Sequence, residues 1–280
     1  MKRLFRAMLA MSVIAVSLAN VENASADPLA PPSLKDSEWR VALTPYLMLP
    51  VEVTGDSTVA GQTVSLDMDT SDLLDVLNFA FSGRLEIWKE DFALILDGYY
   101  IDLNADGSVQ TPGPLPIAVS IDADVRQFYL DGLVSYRLFN KPYNVEGDLW
   151  SLELMGGFRY NYLKQEIDVA ASAGVGPGVS TRLGGDARWV DPIVGTRVAV
   201  ALNERWTAGG RADIGGFGIS DTDLTWSITG GFNYRPWEKT SLKFGWRAYS
   251  LDMSTTLSDG AFGYDVFQHG PFLAVTFALQ

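Results

Sequence analysis

Apolar residues recur at every second position along much of the chain, and the pattern is clearest between Trp189 and Ser220. Before the tight connection Asn203-Glu204, Val190, Val194, Val198, Val200 and Leu202 share one parity, and Asp191, Arg197 and Ala199 share the other. After it, Trp206, Ala208, Gly210, Ala212 and Ile214 alternate with Thr207, Arg211 and Asp213. Extended chain sends successive side chains to opposite faces, so the segment predicts a hairpin with one greasy and one charged surface. A soluble sandwich would bury the greasy face and expose small mixed polar residues. Here the polar face is Gly, Arg and Asp, with both signs of charge at matched positions, and the pattern repeats down the chain. The expected fold is all-β: a transmembrane antiparallel up-and-down barrel with lipid outside and a polar interior.

The same alternation marks the other elements. Trp39 to Val53 reads as a first strand interrupted by Pro45 and Pro50, which suit a bulge or a rim. Thr54 to Asn78 is a long connection with a possible small hairpin, Thr63 to Asp69, and a short helix for which Ser71 is the expected N-cap. Phe79 to Trp88 and Phe92 to Asp102 flank the turn Lys89-Glu90-Asp91, and Asn104 to Pro116 reads as a Gly/Pro loop. In Ile117 to Leu138 the apolar parity switches, so a bulge is expected near Val125 to Gln127. Further strands are expected over Asp148 to Val169, Leu224 to Tyr234, Leu242 to Met253 and Phe262 to Leu279. Loops are expected at Gly218 to Asp223 and Thr255 to Gly260. The total is about ten strands, an even number that closes with both termini on one side. Alternating long and short connections put the short turns and the termini in the periplasm. Trp39, Trp150, Trp206 and Trp237 near the turns, with Tyr100, Tyr162, Trp189 and Trp226 near the loops, read as two interfacial girdles.

The N-terminus adds a compartment. Lys2, Arg3 and Arg6, an apolar segment from Ala7 to Ala19 and Ala24-Ser25-Ala26 have the form of a cleaved secretory signal peptide over residues 1–26. Residues 27–38 then read as a periplasmic lead-in and 39–280 as the barrel. The net charge is −13, becoming about −15 once the leader's three basic residues and one acidic residue are removed. That balance argues against nucleic acid as a partner. Cysteine is absent, which excludes disulfides, a thiol nucleophile and cysteine metal sites.

The candidate functional residues are the charges of the inner parity: Arg84, Glu86, Asp97, Asp131, Arg137, Glu153, Arg159, Asp191, Arg197, Arg211, Asp213, Lys243 and Arg247. On the lipid face a mid-depth Arg or Lys would cost about 2–4 kcal/mol, whereas inside a narrow barrel these groups can pair. They are expected to form an ion-pair network that fills the lumen; the alternative is a selective conduction path. His269, the single histidine, stands in Gln268-His269-Gly270-Pro271 without a nucleophile motif beside it and reads as an interfacial or packing residue rather than a general base. Asp67, Asp69 and Asp72 are spaced like calcium ligands, but the glycine and distal glutamate of a calcium loop are missing, so a solvated acidic loop is expected. Ala173-Gly174-Val175-Gly176-Pro177-Gly178 lacks the lysine and strand-to-helix context of a phosphate loop.

Four stretches carry a family resemblance: Trp39 with Thr44-Pro45-Tyr46-Leu47-Met48-Leu49-Pro50, Trp189-Val190-Asp191-Pro192-Ile193-Val194-Gly195-Thr196-Arg197, Asp213-Ile214-Gly215-Gly216-Phe217-Gly218, and Gly270-Pro271-Phe272-Leu273. In these the chain resembles the uncharacterised outer-membrane β-barrel proteins of proteobacteria. The resemblance implies the fold and the compartment and brings no activity with it. Such barrels usually end in an aromatic residue read by the assembly machinery; this sequence ends Phe277-Ala278-Leu279-Gln280. The expectation is a non-enzymatic outer-membrane barrel with an occluded lumen and no cofactor. It would contact outer-membrane lipid and lipopolysaccharide, and the barrel-assembly machinery during insertion. A narrow porin-like channel is the alternative, and a lipid-modifying or proteolytic barrel enzyme comes third.

Overall fold

The computed structural model describes residues 39–110, 118–145, 148–172 and 178–279. The expected signal peptide and lead-in lie outside the described residues. In chain order the elements are β1 (Trp39–Met48), β2 (Glu52–Val59), β3 (Gln62–Asp69), α1 (Thr70–Val76), β4 (Leu77–Lys89), β5 (Phe92–Gln110), β6 (Ala118–Pro142), β7 (Leu149–Ser172), β8 (Val179–Ala201), β9 (Trp206–Ile219), β10 (Thr222–Tyr234), β11 (Thr240–Leu257) and β12 (Gly260–Ala278). Strand β1 and strands β4 to β12 follow one another in antiparallel pairs, and β12 returns to β1, with Leu43 opposite Phe277 and Met48 opposite Phe272. This is a ring of ten strands with no free edge at that depth, the arrangement that satisfies backbone polar groups in lipid.

The expected first strand is two strands. β1 stops at Met48, and β2 continues along the same neighbour, β12, with Glu52 opposite His269. Leu49 to Val51 forms the break, held by Leu49 N donating to Pro271 O (3.0 Å) and Val51 N to His269 O (2.9 Å). Pro50, which has no N–H to give to a ladder, sits inside it. Alternation changes hand across the break, since Met48 and Val53 are both buried. β2 and β3 make the hairpin, which is wider than the Thr63–Asp69 segment expected to contain it. Asp69, rather than Ser71, caps α1: its Oδ1 accepts from Ser71 N (2.7 Å) and Asp72 N (3.0 Å), and Asp72 accepts in return from Asp69 N (3.3 Å). Two carboxylates of the calcium-like run therefore serve as a capping box.

The strands are longer than the alternation suggested. Asn104 to Gln110 continues β5, and tight turns at 220–221 and 258–259 replace two expected loops. No bulge occurs near Val125: β5 and β6 pair without interruption from Phe92–Tyr136 to Gln110–Ala118. The parity switch has another cause. Above the lipid the outer face meets water, so Val119, Ile121 and Val125 keep the inner parity of Tyr129 and Asp131 while the outer positions turn polar. The register shift that β6 does carry lies against β7, between Arg137 and Phe139.

Outward, Phe81, Leu94, Val134, Leu154, Val194, Ile228 and Leu273 are exposed and form an apolar belt. Inward, apolar side chains pack at two levels of the lumen. Toward the long-loop end Leu73 of α1 packs among Tyr99, Tyr129, Leu163, Trp189, Leu251 and Phe262. A second cluster, Trp88, Ala93, Ile95, Leu133, Met155 and Ile193, lies along the wall from β4 to β8. Trp189 thus belongs to the interior and not to the outer girdle, with its indole bonded to Asp191. Above the upper cluster the strand ends cross the mouth. Ser57 of β2 hydrogen-bonds Gln165 of β7, four strands round the ring, and Gly184 N donates to Asp259 Oδ2 (2.6 Å). Gly55, at φ 138°, gives β2 its bend; a Cβ there would stand 2.0 Å from Asp265 O.

Candidate functional site

Strand alternation sends all thirteen candidate charges inward, and Arg84 is the most exposed of the ion-paired ones. The register then stacks them as cross-strand neighbours: Arg84 opposite Asp97, Asp97 opposite Asp131, Asp131 opposite Arg159, and Glu153 opposite Arg197. Two carboxylates facing each other, as Asp97 and Asp131 do, repel unless a cation stands between them. Arg211 does so, with Nη1 3.2 Å from Asp97 Oδ2 and Nη2 3.2 Å from Asp131 Oδ2.

Ten of the thirteen form one continuous network. Arg159, 0 % exposed, grips Asp131 with two parallel bonds, Nε–Oδ1 2.7 Å and Nη2–Oδ2 3.0 Å. It also reaches Asp213 Oδ1 (3.2 Å) and Thr225 Oγ1 (3.1 Å), and lies over the rings of Tyr129 and Tyr249. Arg84 holds Asp97 Oδ2 through Nε (3.0 Å) and Nη2 (2.7 Å) and stands 3.9 Å from Glu86. Arg197 places Nη1 3.0 Å from both Glu86 oxygens and Nη2 2.6 Å from Glu153 Oε2. Arg137 closes the row on Glu153 Oε1 (3.1 Å) and stacks over Trp88. The forked arginine group suits such two-point binding, and aromatic faces take its flat side.

Asp191, Arg247 and Lys243 complete the candidate set. Asp191 accepts from Trp189 Nε1 (3.0 Å), Asn161 Nδ2 (2.8 Å) and Thr222 Oγ1 (3.0 Å). Arg247 donates to Tyr46 OH at 3.3 Å and lies near the faces of Tyr129 and Tyr249; its Nε has no hydrogen-bond partner. Tyr46 in turn donates to Asp97 Oδ1 (2.8 Å). Lys243 lines a cavity of about 70 Å³ on the short-turn side, together with Arg84, Arg197, Arg211 and Arg247.

Several residues of this interior were missed as partners of the charges. Trp88, Tyr129 and Trp189 share the parity of Glu86, Asp131 and Asp191 two positions away, and that shared parity is the signal that identifies them. His269 faces outward. Its Nε2 lies 3.0 Å from Glu52 Oε2, with the rings of Trp246 and Phe267 beside it. The chemistry available inside is electrostatic: paired charges that tie one wall to another.

No family model and no curated protein matches the chain. Solved structures do. The outer membrane protease OmpT from Escherichia coli matches over 85% of this chain and 96% of its own, at 12% identity and a TM-score of 0.50. The translocator domain of the autotransporter NalP from Neisseria meningitidis covers 99% and 96% at 12% identity, with a TM-score of 0.32. The toluene transporter TbuX from Ralstonia pickettii covers 72% and 48% at 14% identity, with a TM-score of 0.37. At such identities the likeness is one of fold, and that fold is the antiparallel ring of outer-membrane β-barrels.

Proposed function

We propose that the chain is an integral outer-membrane barrel with a closed lumen, acting without catalysis through its wall and its external strand ends. The observation that carries this reading is the filled interior. A network of five arginines and five carboxylates spans the lumen, and an apolar layer that includes Leu73 of α1 stands above it. Each network arginine contacts at least one carboxylate within the ion-pair distance, so moving an ion along the axis would require opening pairs that are shielded from water. Lipid and lipopolysaccharide would surround the apolar belt, and the assembly machinery would insert it. His269, bonded to Glu52 on the outer face, is a wall residue in this account.

Reconstitution into planar bilayers tests it. A closed barrel gives no steady openings. The alternative, a narrow passive channel, would give ohmic steps whose ion selectivity changes on charge reversal at Arg197 or Arg211. An enzyme would be revealed by a hydrolytic activity of the purified barrel that His269→Ala abolishes.

A further inference from the structure

The inner wall is not uniform in charge. The six inward carboxylates of the candidate set fall one to a strand on β4 to β9: Glu86, Asp97, Asp131, Glu153, Asp191 and Asp213. The inward positions of β10 carry Thr225, Ser227, Thr229, Gly231 and Asn233, and those of β11 carry Lys243 and Arg247. The cavity lies where these two sectors meet on the short-turn side. Its lining holds five cationic side chains and no carboxylate.

We infer that this cavity binds a small oxyanion, of the size of inorganic phosphate or a short carboxylate. Four features argue for it. Arg247 is buried, lines the cavity, and spends its hydrogen bonds on a neutral phenol while its Nε makes none. A buried charged donor left unsatisfied is costly, and an anion is the ligand that removes the cost. Lys243 adds an ammonium group to the same lining, and Thr44 and Thr229 add hydroxyls. Glycine keeps the space open. At Gly231 a Cβ would stand 2.3 Å from Phe244 O, so the strands approach too closely for any side chain and the wall there is bare backbone. Finally, the volume of about 70 Å³ is enough for a tetrahedral anion. Asp191, the candidate carboxylate outside the ion-pair network, is held by Trp189, Asn161 and Thr222, none of which lines the cavity.

Equilibrium dialysis of the folded full-length chain in detergent against radiolabelled inorganic phosphate, in a gluconate buffer, is the test. Saturable binding of about one phosphate per barrel is expected, weakened by added chloride as a screened charge interaction is. Arg247→Gln should weaken it about tenfold or more, in keeping with a hydrogen bond to a charged group. Lys243→Met should weaken it as well, and serves as the second variant if the first fails to show heat-modifiable gel migration. Arg182→Gln, the same loss of charge on the exposed outer strands, should leave it unchanged. Absence of saturable binding by the natural chain overturns the inference. So does wild-type affinity in both lumen variants, or equal weakening by Arg182→Gln. Because dialysis reads occupancy and not conduction, the result is independent of whether the barrel proves closed.

Discussion

Two sectors of one lumen solve the same problem differently. From β4 to β9 every strand sends a carboxylate inward, and arginines fit between them. On the short-turn side of β10 and β11 the inward residues are hydroxyls, glycines, Asn233 and two cations, and a cavity remains. Both sectors face the same kind of belt outside, so the lipid does not explain the difference. What differs is what stands opposite each buried charge in the strand register: in the first sector charges face charges, whereas Lys243 stands opposite Asn233 and Ala274, and Arg247 opposite Thr229 and Gly270. Paired charge can be packed; charge paired with a phenol or an aromatic face leaves room and an unmet donor.

The largest effect that would break this comparison is expected at Arg159. Arg159→Ala leaves Asp131 and Asp213 buried with one of their two bridging guanidiniums gone and Arg211 alone between them, and should cost about 3–5 kcal/mol in denaturant unfolding from lipid vesicles. Arg247→Ala removes one long hydrogen bond and two ring contacts, and should cost about 1–2 kcal/mol in the same assay. Equal losses at the two positions would show that the sectors are not distinct. The smallest effect is expected outside the lipid. There the Arg182 guanidinium, bonded to Asp168 at 2.8 and 2.9 Å, holds that carboxyl below the usual carboxylate range. A depressed carboxyl stabilises the fold above its unfolded pKa, and the contribution is lost as pH falls through the folded value. Both groups are open to solvent, so the pair should add nothing measurable to stability. Arg182→Gln should nonetheless raise the Asp168 pKa toward the ordinary value in an NMR titration; an unmoved titration would mean the pair does not form in solution.

Much of the architecture was legible from alternation alone. The inward parity of Arg84, Arg197 and Arg211 follows from the greasy residues beside them, because period two leaves no other face available. The count of ten ring strands followed as well. Alternation misled where the solvent changes. Above the belt the outer face of β6 turns polar and its apolar residues fall on the inner parity, so its parity switch looked like a bulge, and the strand ends of β5, β10 and β11 looked like loops. Trp189 was misplaced for a related reason: an aromatic near a strand end fits a girdle by composition, while its parity with Asp191 puts it inside. The split of the first strand at Leu49 to Val51 depends on Pro50 and on the hairpin that follows, and no periodic pattern encodes either. The cavity was out of reach, since it arises from what Gly209 and Gly231 leave unfilled.

The chain's lack of cysteine gives the most direct test of a filled axis under an apolar belt. Single cysteines would be placed at Thr225, 0 % exposed inside the ring, and at Val194, 52 % exposed on the belt, and probed in vesicles with water-soluble and lipid-soluble maleimides. Thr225→Cys should resist the water-soluble reagent from the long-loop side, and Val194→Cys should react with the lipid-soluble reagent alone. Rapid modification of Thr225→Cys by the water-soluble reagent would mean that an open aqueous path runs through the barrel.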